Sequence, residues 1–175
     1  MTDTENKKYK SKPSDEQSTP QEFFDGVNAR YRFSLDVCAT KENAKCSEYY
    51  TEAEDGLKQP WCGVVWCNPP YSDPSPWLKK AVELTARSYV TTVVLVRVDT
   101  STKWWHKYAT QAMIWELVDR RLRFNGAKGS PNFASALLVF MPVWYLAFPP
   151  STFHINQFIV RGINNTGGIE WQKHC

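Results

Sequence analysis

The sequence predicts an α/β domain on a mostly parallel sheet that closes with an antiparallel hairpin. Three observations lead there. Helical and β-rich stretches alternate from about residue 20 onward, the pattern of crossover units. Residues 90–96 form a continuous apolar, β-branched run, which a strand covered on both faces requires. Two further β-rich runs, 114–118 and 135–141, are joined by a polar loop carrying Gly126 and Gly129, which closes the sheet.

Residues 1–18 read as a flexible polar tail before a single domain over 19–175; the stretch is charge-balanced and holds one aromatic, Tyr9. Thr19-Pro20-Gln21-Glu22 reads as a capping box with proline at the first helical position. Phe23, Val27 and Tyr31 follow at helical spacing, giving a helix over about 20–30. Residues 33–38 alternate apolar and polar as a strand does. The polar stretch 40–60 has room for one small helix and one short strand at 49–51. A strand over 63–67 stops at Pro69-Pro70, which cannot continue a ladder. Ser75-Pro76 caps a helix whose Trp77, Ala81 and Leu84 share a face. A helix over 104–113 precedes the hairpin, and 153–160 reads as a further edge strand.

Composition excludes several classes. At 175 residues the chain fits one domain. Its hydrophobic fraction of 42% suffices for a core, so the chain as a whole is not disordered. The first twenty residues lack the apolar core of a secretion signal. The most apolar stretch, 133–148, is shorter than the roughly 20 residues of a membrane span and contains Pro142. The cysteines (Cys38, Cys46, Cys62, Cys67, Cys175) are odd in number and lack the paired spacing of zinc sites, so they read as buried free thiols in a reduced, cytoplasmic protein with no metal. A net charge of +3 permits a nucleic-acid partner without requiring one.

In such sheets ligands bind at the carboxyl ends of strands, and two segments stand there: Asp36-Val37-Cys38-Ala39 and Asn68-Pro69-Pro70-Tyr71. The second resembles the catalytic motif of S-adenosylmethionine-dependent methyltransferases acting on an exocyclic or amide nitrogen. The chemistry explains the residue types. An adenine amino nitrogen is a weak nucleophile because its lone pair is delocalised into the ring. Two acceptors, the Asn68 side-chain carbonyl and a backbone carbonyl of the Pro69-Pro70 turn, draw it toward tetrahedral geometry. The prolines stiffen that turn before substrate arrives, and Tyr71 offers a flat face to a flipped base. The plain alternative is a proline pair that ends a strand; the position directly after an apolar strand favours the site.

The resemblance extends further. Thr19-Pro20, Phe23-Phe24-Asp25, residues 35–40, Asn43-Ala44-Lys45-Cys46, Asp55-Gly56-Leu57, Trp61, Asn68 to Ser72 and Trp77 resemble the phage-type DNA N6-adenine methyltransferase family. Asp99-Thr100, Trp105-His106 and Arg121 to Phe124 match its pattern as well, so the likeness spans about residues 19–141. The resemblance implies a compact Rossmann-like methyltransferase fold, S-adenosylmethionine as donor, and adenine in double-stranded DNA as acceptor, reached by base flipping. It implies a phage or prophage gene acting in a bacterial host, protection of a genome from restriction, and no obligate protein partner. Donor contacts then fall to Thr19, Pro20, Asp36, Cys38, Ala39 and Asp55. The usual Gly-rich turn after the first strand is missing; small residues stand in its place. Turn chemistry is the competing reading for Asp36 and for Asp55-Gly56.

Seven basic residues between Arg97 and Lys128 face three acids, a local excess of four. Ser72, Lys103, Arg120, Arg121, Arg123 and Lys128 are the DNA-contact candidates, an ordinary solvated face being the alternative. His106 reads as a capping or half-buried residue. Two other functions stay open on sequence: methylation of cytosine N4, an RNA base or a protein glutamine, separable by acceptor assays; and an inactive DNA-binding relic, separable by the absence of a donor-induced thermal shift.

Overall fold

The computed structural model describes residues 18–124 and 131–142 and the backbone of 161–163. The expected tail 1–17, the loop 125–130 with Lys128, the expected edge strand 153–160 and Cys175 lie outside the described residues.

Chain order is α1 (Gln21–Tyr31), β1 (Leu35–Ala39), β2 (Glu48–Thr51), β3 (Val64–Cys67), α2 (Ser75–Arg87), β4 (Thr91–Arg97), α3 (Lys103–Lys107), β5 (Ile114–Val118), β6 (Ser135–Phe140) and β7 (Arg161–Ile163). The strands form one sheet in the order β2-β1-β3-β4-β6-β5-β7. Pairs β1–β2, β1–β3, β3–β4 and β5–β7 are parallel. Strand β6 runs antiparallel to both β4 and β5, so it alone is reversed. The expected α/β sheet, mostly parallel with a closing hairpin, is what forms.

Side-chain parity divides the core. Leu35, Val37, Val65, Cys67, Val94 and Val96 meet Trp77, Leu78 and Ala81 of α2 on one face. Trp66, Val93, Leu95, Leu137 and Val139 meet Phe23, Phe24, Val27 and Tyr31 of α1 on the other. β4 and β6 are buried along almost their whole length because both faces are covered. Helix α1 is tied down by a buried polar link: the Tyr31 hydroxyl donates to Glu116 Oε1 at 2.5 Å, and Arg30 Nη2 lies 2.8 Å from Glu116 Oε2.

Four local expectations are corrected. Thr19 does not cap α1; Pro20 occupies the N-cap with no side-chain bond, its carbonyl taking the Phe24 amide, so the helix starts one residue later. Pro74, rather than Ser75, is the N-cap of α2, and Asp73 Oδ1 accepts the Ser75 amide. The stretch 40–60 forms turns and β2 but no helix. The expected helix over 104–113 is a five-residue helix followed by a 3-10 turn at Ala109–Gln111. There the Thr110 hydroxyl bonds the His106 carbonyl and the Gln111 amide bonds the Lys107 carbonyl, so side chains take the acceptors that a longer helix would use.

Candidate active site

The sheet order fixes where a ligand fits. From β1 the chain steps outward to β2, whereas from β3 it steps the other way to β4. The order therefore reverses between β1 and β3, and the crevice outside their carboxyl ends is the topological switch point. Ala39 ends β1 and Cys67 ends β3. Asn68-Pro69-Pro70-Tyr71 follows immediately.

Pro69 and Pro70 are buried and Asn68 is half-buried. The Pro70 carbonyl accepts from Asp73 N–H at 3.2 Å, closing the turn. The Pro69 carbonyl accepts no backbone bond among the described residues. Tyr71 is held edge-on by Phe124 and Phe133, with ring centroids 5.5 and 5.3 Å away. Those rings flank the loop from β5 to β6, which reaches the same sheet edge because β5 ends and β6 begins there. Burial holds the Tyr71 phenol well above its ordinary range, the positive charge of Arg97 acting the other way.

Of the six expected donor residues, Cys38 and Ala39 end β1, Asp36 stands second in it, Asp55 follows the neighbouring β2, and Thr19 and Pro20 precede α1. Asp36 is buried; its Oδ1 accepts from Cys38 N–H at 3.2 Å and its Oδ2 from Lys45 N–H at 3.0 Å. Burial pushes its carboxyl up to about 6, against the two amides, which favour the charged form. Lys45 Nζ donates to Gln21 Oε1 at 2.9 Å, which sets Thr19 and Pro20 at the start of α1 beside this turn. The turn needs no glycine. Asn43 Oδ1 accepts the Thr40 amide, the Thr40 carbonyl accepts the Ala44 amide, and no residue there has positive φ. Asp55 sits past β2 in the left-handed region (φ 57°) with its carboxylate 3.1 Å from Lys58 Nζ. Gly56 lies directly on the Val37 carbonyl; a Cβ there would stand 2.1 Å from that oxygen.

Sequence reasoning missed Lys80. Its Nζ donates to the carbonyls of Gly56 (3.2 Å), Leu57 (2.8 Å) and Gln59 (2.5 Å) and lies 4.7 Å from the Trp61 ring centroid. Trp61 Nε1 donates to the same Gly56 carbonyl, and its ring stacks on Trp77. One lysine thus pins the segment 56–61 to α2. The signal was present: Lys80 stands on the helix flank of Trp77, Ala81 and Leu84, where a charge needs buried partners. Lys80→Met keeps the stem and removes the donors. It should cost about 2 kcal/mol and lower Tm by roughly 4–8 °C, read by thermal unfolding.

Among the basic candidates, Lys103, Arg121 and Arg123 are exposed and Arg120 is half-buried. With exposed Ser72 they follow β3, β4 and β5, whose carboxyl ends share the site's edge. Arg121 also bonds the Pro131 carbonyl across the loop. The exposed His106 places Nε2 2.7 Å from the Thr100 carbonyl oxygen, a local cap. The cysteines depart from expectation: Cys67 is buried, Cys38 and Cys46 are half-buried and Cys62 is exposed. Among the described residues no group of three or more His, Cys, Asp or Glu comes together as a metal site, and no helix is long and apolar enough to cross a membrane.

A family model described as DNA N-6-adenine-methyltransferase (Dam) matches residues 6–155. The chain belongs to the Dam family. The match starts inside the stretch read as a tail and runs through every strand from β1 to β6. A DNA N-6-adenine-methyltransferase of Haemophilus phage HP1 is 39% identical over 74 residues, 42% of this chain and 43% of that protein. One of Escherichia phage T1 is 36% identical over 104 residues, 56% of this chain and 43% of that protein. The matched region of the Dam-family chain thus spans less than half the length of either phage protein.

Proposed function

We propose that this Dam-family chain methylates the N6 amino group of adenine in double-stranded DNA, using S-adenosylmethionine. The observation that carries the reading is the Asn68-Pro69-Pro70-Tyr71 corner at the switch point between β1 and β3. The Asn68 side-chain oxygen and the Pro69 carbonyl accept the two amino hydrogens and turn the lone pair outward. Proline rigidity sets those acceptors before the base arrives. Tyr71, braced by Phe124 and Phe133, supports an adenine extruded from the stack. Exposed Ser72, Lys103, Arg121 and Arg123, with Arg120, supply phosphate contacts along the same edge; Lys128, outside the described residues, is a further candidate by sequence alone. The domain begins at Thr19, and the phage relatives favour a phage or prophage gene acting inside a bacterial cell.

The residues around β1 fit the donor. Thr19 is 2% exposed, and its Oγ1 has no hydrogen-bond partner among the described residues, an orphaned buried hydroxyl just before α1. Asp36, early in β1, turns its carboxylate to the Cys38 and Lys45 amides, and Asp55 follows β2; carboxylates of this kind suit ribose hydroxyls and amino groups. Pro20, Cys38 and Ala39 line the approach with small or flat surfaces. When bound, the donor supplies an electrophilic methyl group. The chain needs no general base beside the amino nitrogen, because that nitrogen becomes acidic once alkylated.

The Asp36 carboxyl, raised to about 6, is charged above that pH and takes up a proton below it. Donor affinity should therefore fall as pH drops through 6, and Asp36→Asn should flatten the profile, measured by calorimetry. The function itself is tested by methyl transfer from labelled donor to unmethylated duplex DNA, with nucleoside analysis and parallel RNA and protein acceptors. N6-methyladenine from duplex DNA is the expected product. Label in another base, in RNA or in protein overturns the acceptor; no label anywhere overturns the activity.

A further inference from the structure

On the α1 face of the sheet, at its carboxyl edge, three buried polar atoms have no hydrogen-bond partner among the described residues: Tyr71 Oη, Arg97 Nε and Ser135 Oγ. They are close together. Arg97 and Ser135 are directly paired across β4 and β6, so their side chains leave the same face side by side. Arg97 follows Val93 and Leu95 in parity, the residues that pack toward Tyr71 and Phe133. Its positive charge reaches the Tyr71 hydroxyl. A lone orphan is tolerable in a fold, but each costs about 1–3 kcal/mol when buried. Three in one corner beside the catalytic motif point to a ligand that satisfies them.

The guanidinium is also held in place. Arg97 Nη2 lies 3.1 Å from Asp99 Oδ2, and Asp99 Oδ1 accepts from the Ser101 hydroxyl at 2.7 Å. That pairing selects the ligand. An anionic phosphate in this corner would face the Asp99 carboxylate, whereas a neutral acceptor meets an N–H donor whose charge is already balanced. We propose that Arg97, flanked by the Tyr71 and Ser135 hydroxyls, reads a ring-nitrogen acceptor of the target base next to the amino group that Asn68 and Pro69 hold. Arg97 is then a specificity-determining residue: the corner accepts a base that offers a donor amino group and a ring acceptor together. The inference rests on the methyltransferase reading given above.

The test first maps the adenines that the wild type methylates, then uses synthetic duplexes of that sequence carrying adenine, 1-deaza-adenine or 7-deaza-adenine at the target. The wild type should lose about tenfold to a hundredfold in kcat/KM on one deaza duplex. Arg97→Ala should lose a similar factor on natural adenine and suffer no further loss on that same analogue. Altered nucleophilicity of the analogue acts on both proteins alike and cancels in the comparison. Ser135→Ala, which removes one buried oxygen that has no bond to lose, should shrink the analogue penalty partially and guards against a misfolded Arg97 variant. The proposal is overturned if Arg97→Ala loses the same factor on all three duplexes while the slope of log affinity against log salt falls by about one, the mark of a phosphate contact. It is equally overturned if neither analogue penalises the wild type. Failure of the wild type on natural DNA is a different result and overturns the methyltransferase reading instead.

Discussion

Asn68→Ala is expected to lower kcat for adenine methylation by about 10²–10³-fold, the loss seen when one preorganised electrostatic partner is removed from a reacting group. The side chain lies just past β3, outside the ladder, and is half-buried, so the sheet should form without it. Donor binding depends on residues around β1 and should persist: at 100 times its dissociation constant the donor should still stabilise the variant by about 2.7 kcal/mol. Loss of kcat with a retained thermal shift therefore separates a catalytic role from a folding one. Asn68→Asp keeps an oxygen acceptor in the same place and should lose less than alanine. A kcat for Asn68→Ala within threefold of wild type would remove Asn68 from the chemistry and leave the motif as a strand terminator.

Much of this architecture was legible because apolar patterning and strand burial coincide. Residues 90–96 and 135–141 read as strands since both faces of β4 and β6 are covered, and their observed bounds differ by one residue at most at each end. The proline pair after β3 marked the site because prolines cannot continue a ladder. What escaped the sequence depends on contacts across the chain. Thr19 has the composition of a cap, yet Pro20 takes that position and leaves the hydroxyl buried. The helix at 103 stops early because Thr110 and Gln111 side chains bond backbone carbonyls, a competition that periodicity does not register. Asp36 offered two readings, ligand contact or turn chemistry; both its oxygens engage backbone amides of the turn, which is the turn chemistry. The role of Lys80 rests on three carbonyls 21 to 24 positions earlier in the chain that converge on it.

Gly56→Ala should be the most destabilising single-methyl addition among the described glycines. A Cβ at 56 would stand 2.1 Å from the Val37 carbonyl oxygen and 3.4 Å from the Trp77 ring. The first obstacle is backbone of β1, whose preceding residues Leu35 and Asp36 pair with both β2 and β3, so the strand resists moving. The loop must move instead, and Lys80 and Trp61 both hold the Gly56 carbonyl. The expected cost is about 3 kcal/mol, the upper end for overpacking, or a Tm lower by roughly 6–12 °C. Gly63→Ala is the informative comparison. There the φ of +71° is the obstacle, worth about 1–2 kcal/mol to an L-residue, while the nearest atom is the Ser34 hydroxyl, which can rotate away. The order Gly56→Ala worse than Gly63→Ala, read by thermal unfolding of both, identifies close approach to β1 as the reason for glycine at 56. If Asp55 meets the donor, as proposed, the displaced loop should also weaken donor affinity at temperatures where Gly56→Ala remains folded, and Gly63→Ala should not. Equal donor affinity in all three proteins would detach the 55–61 segment from the donor site and leave it a structural strap.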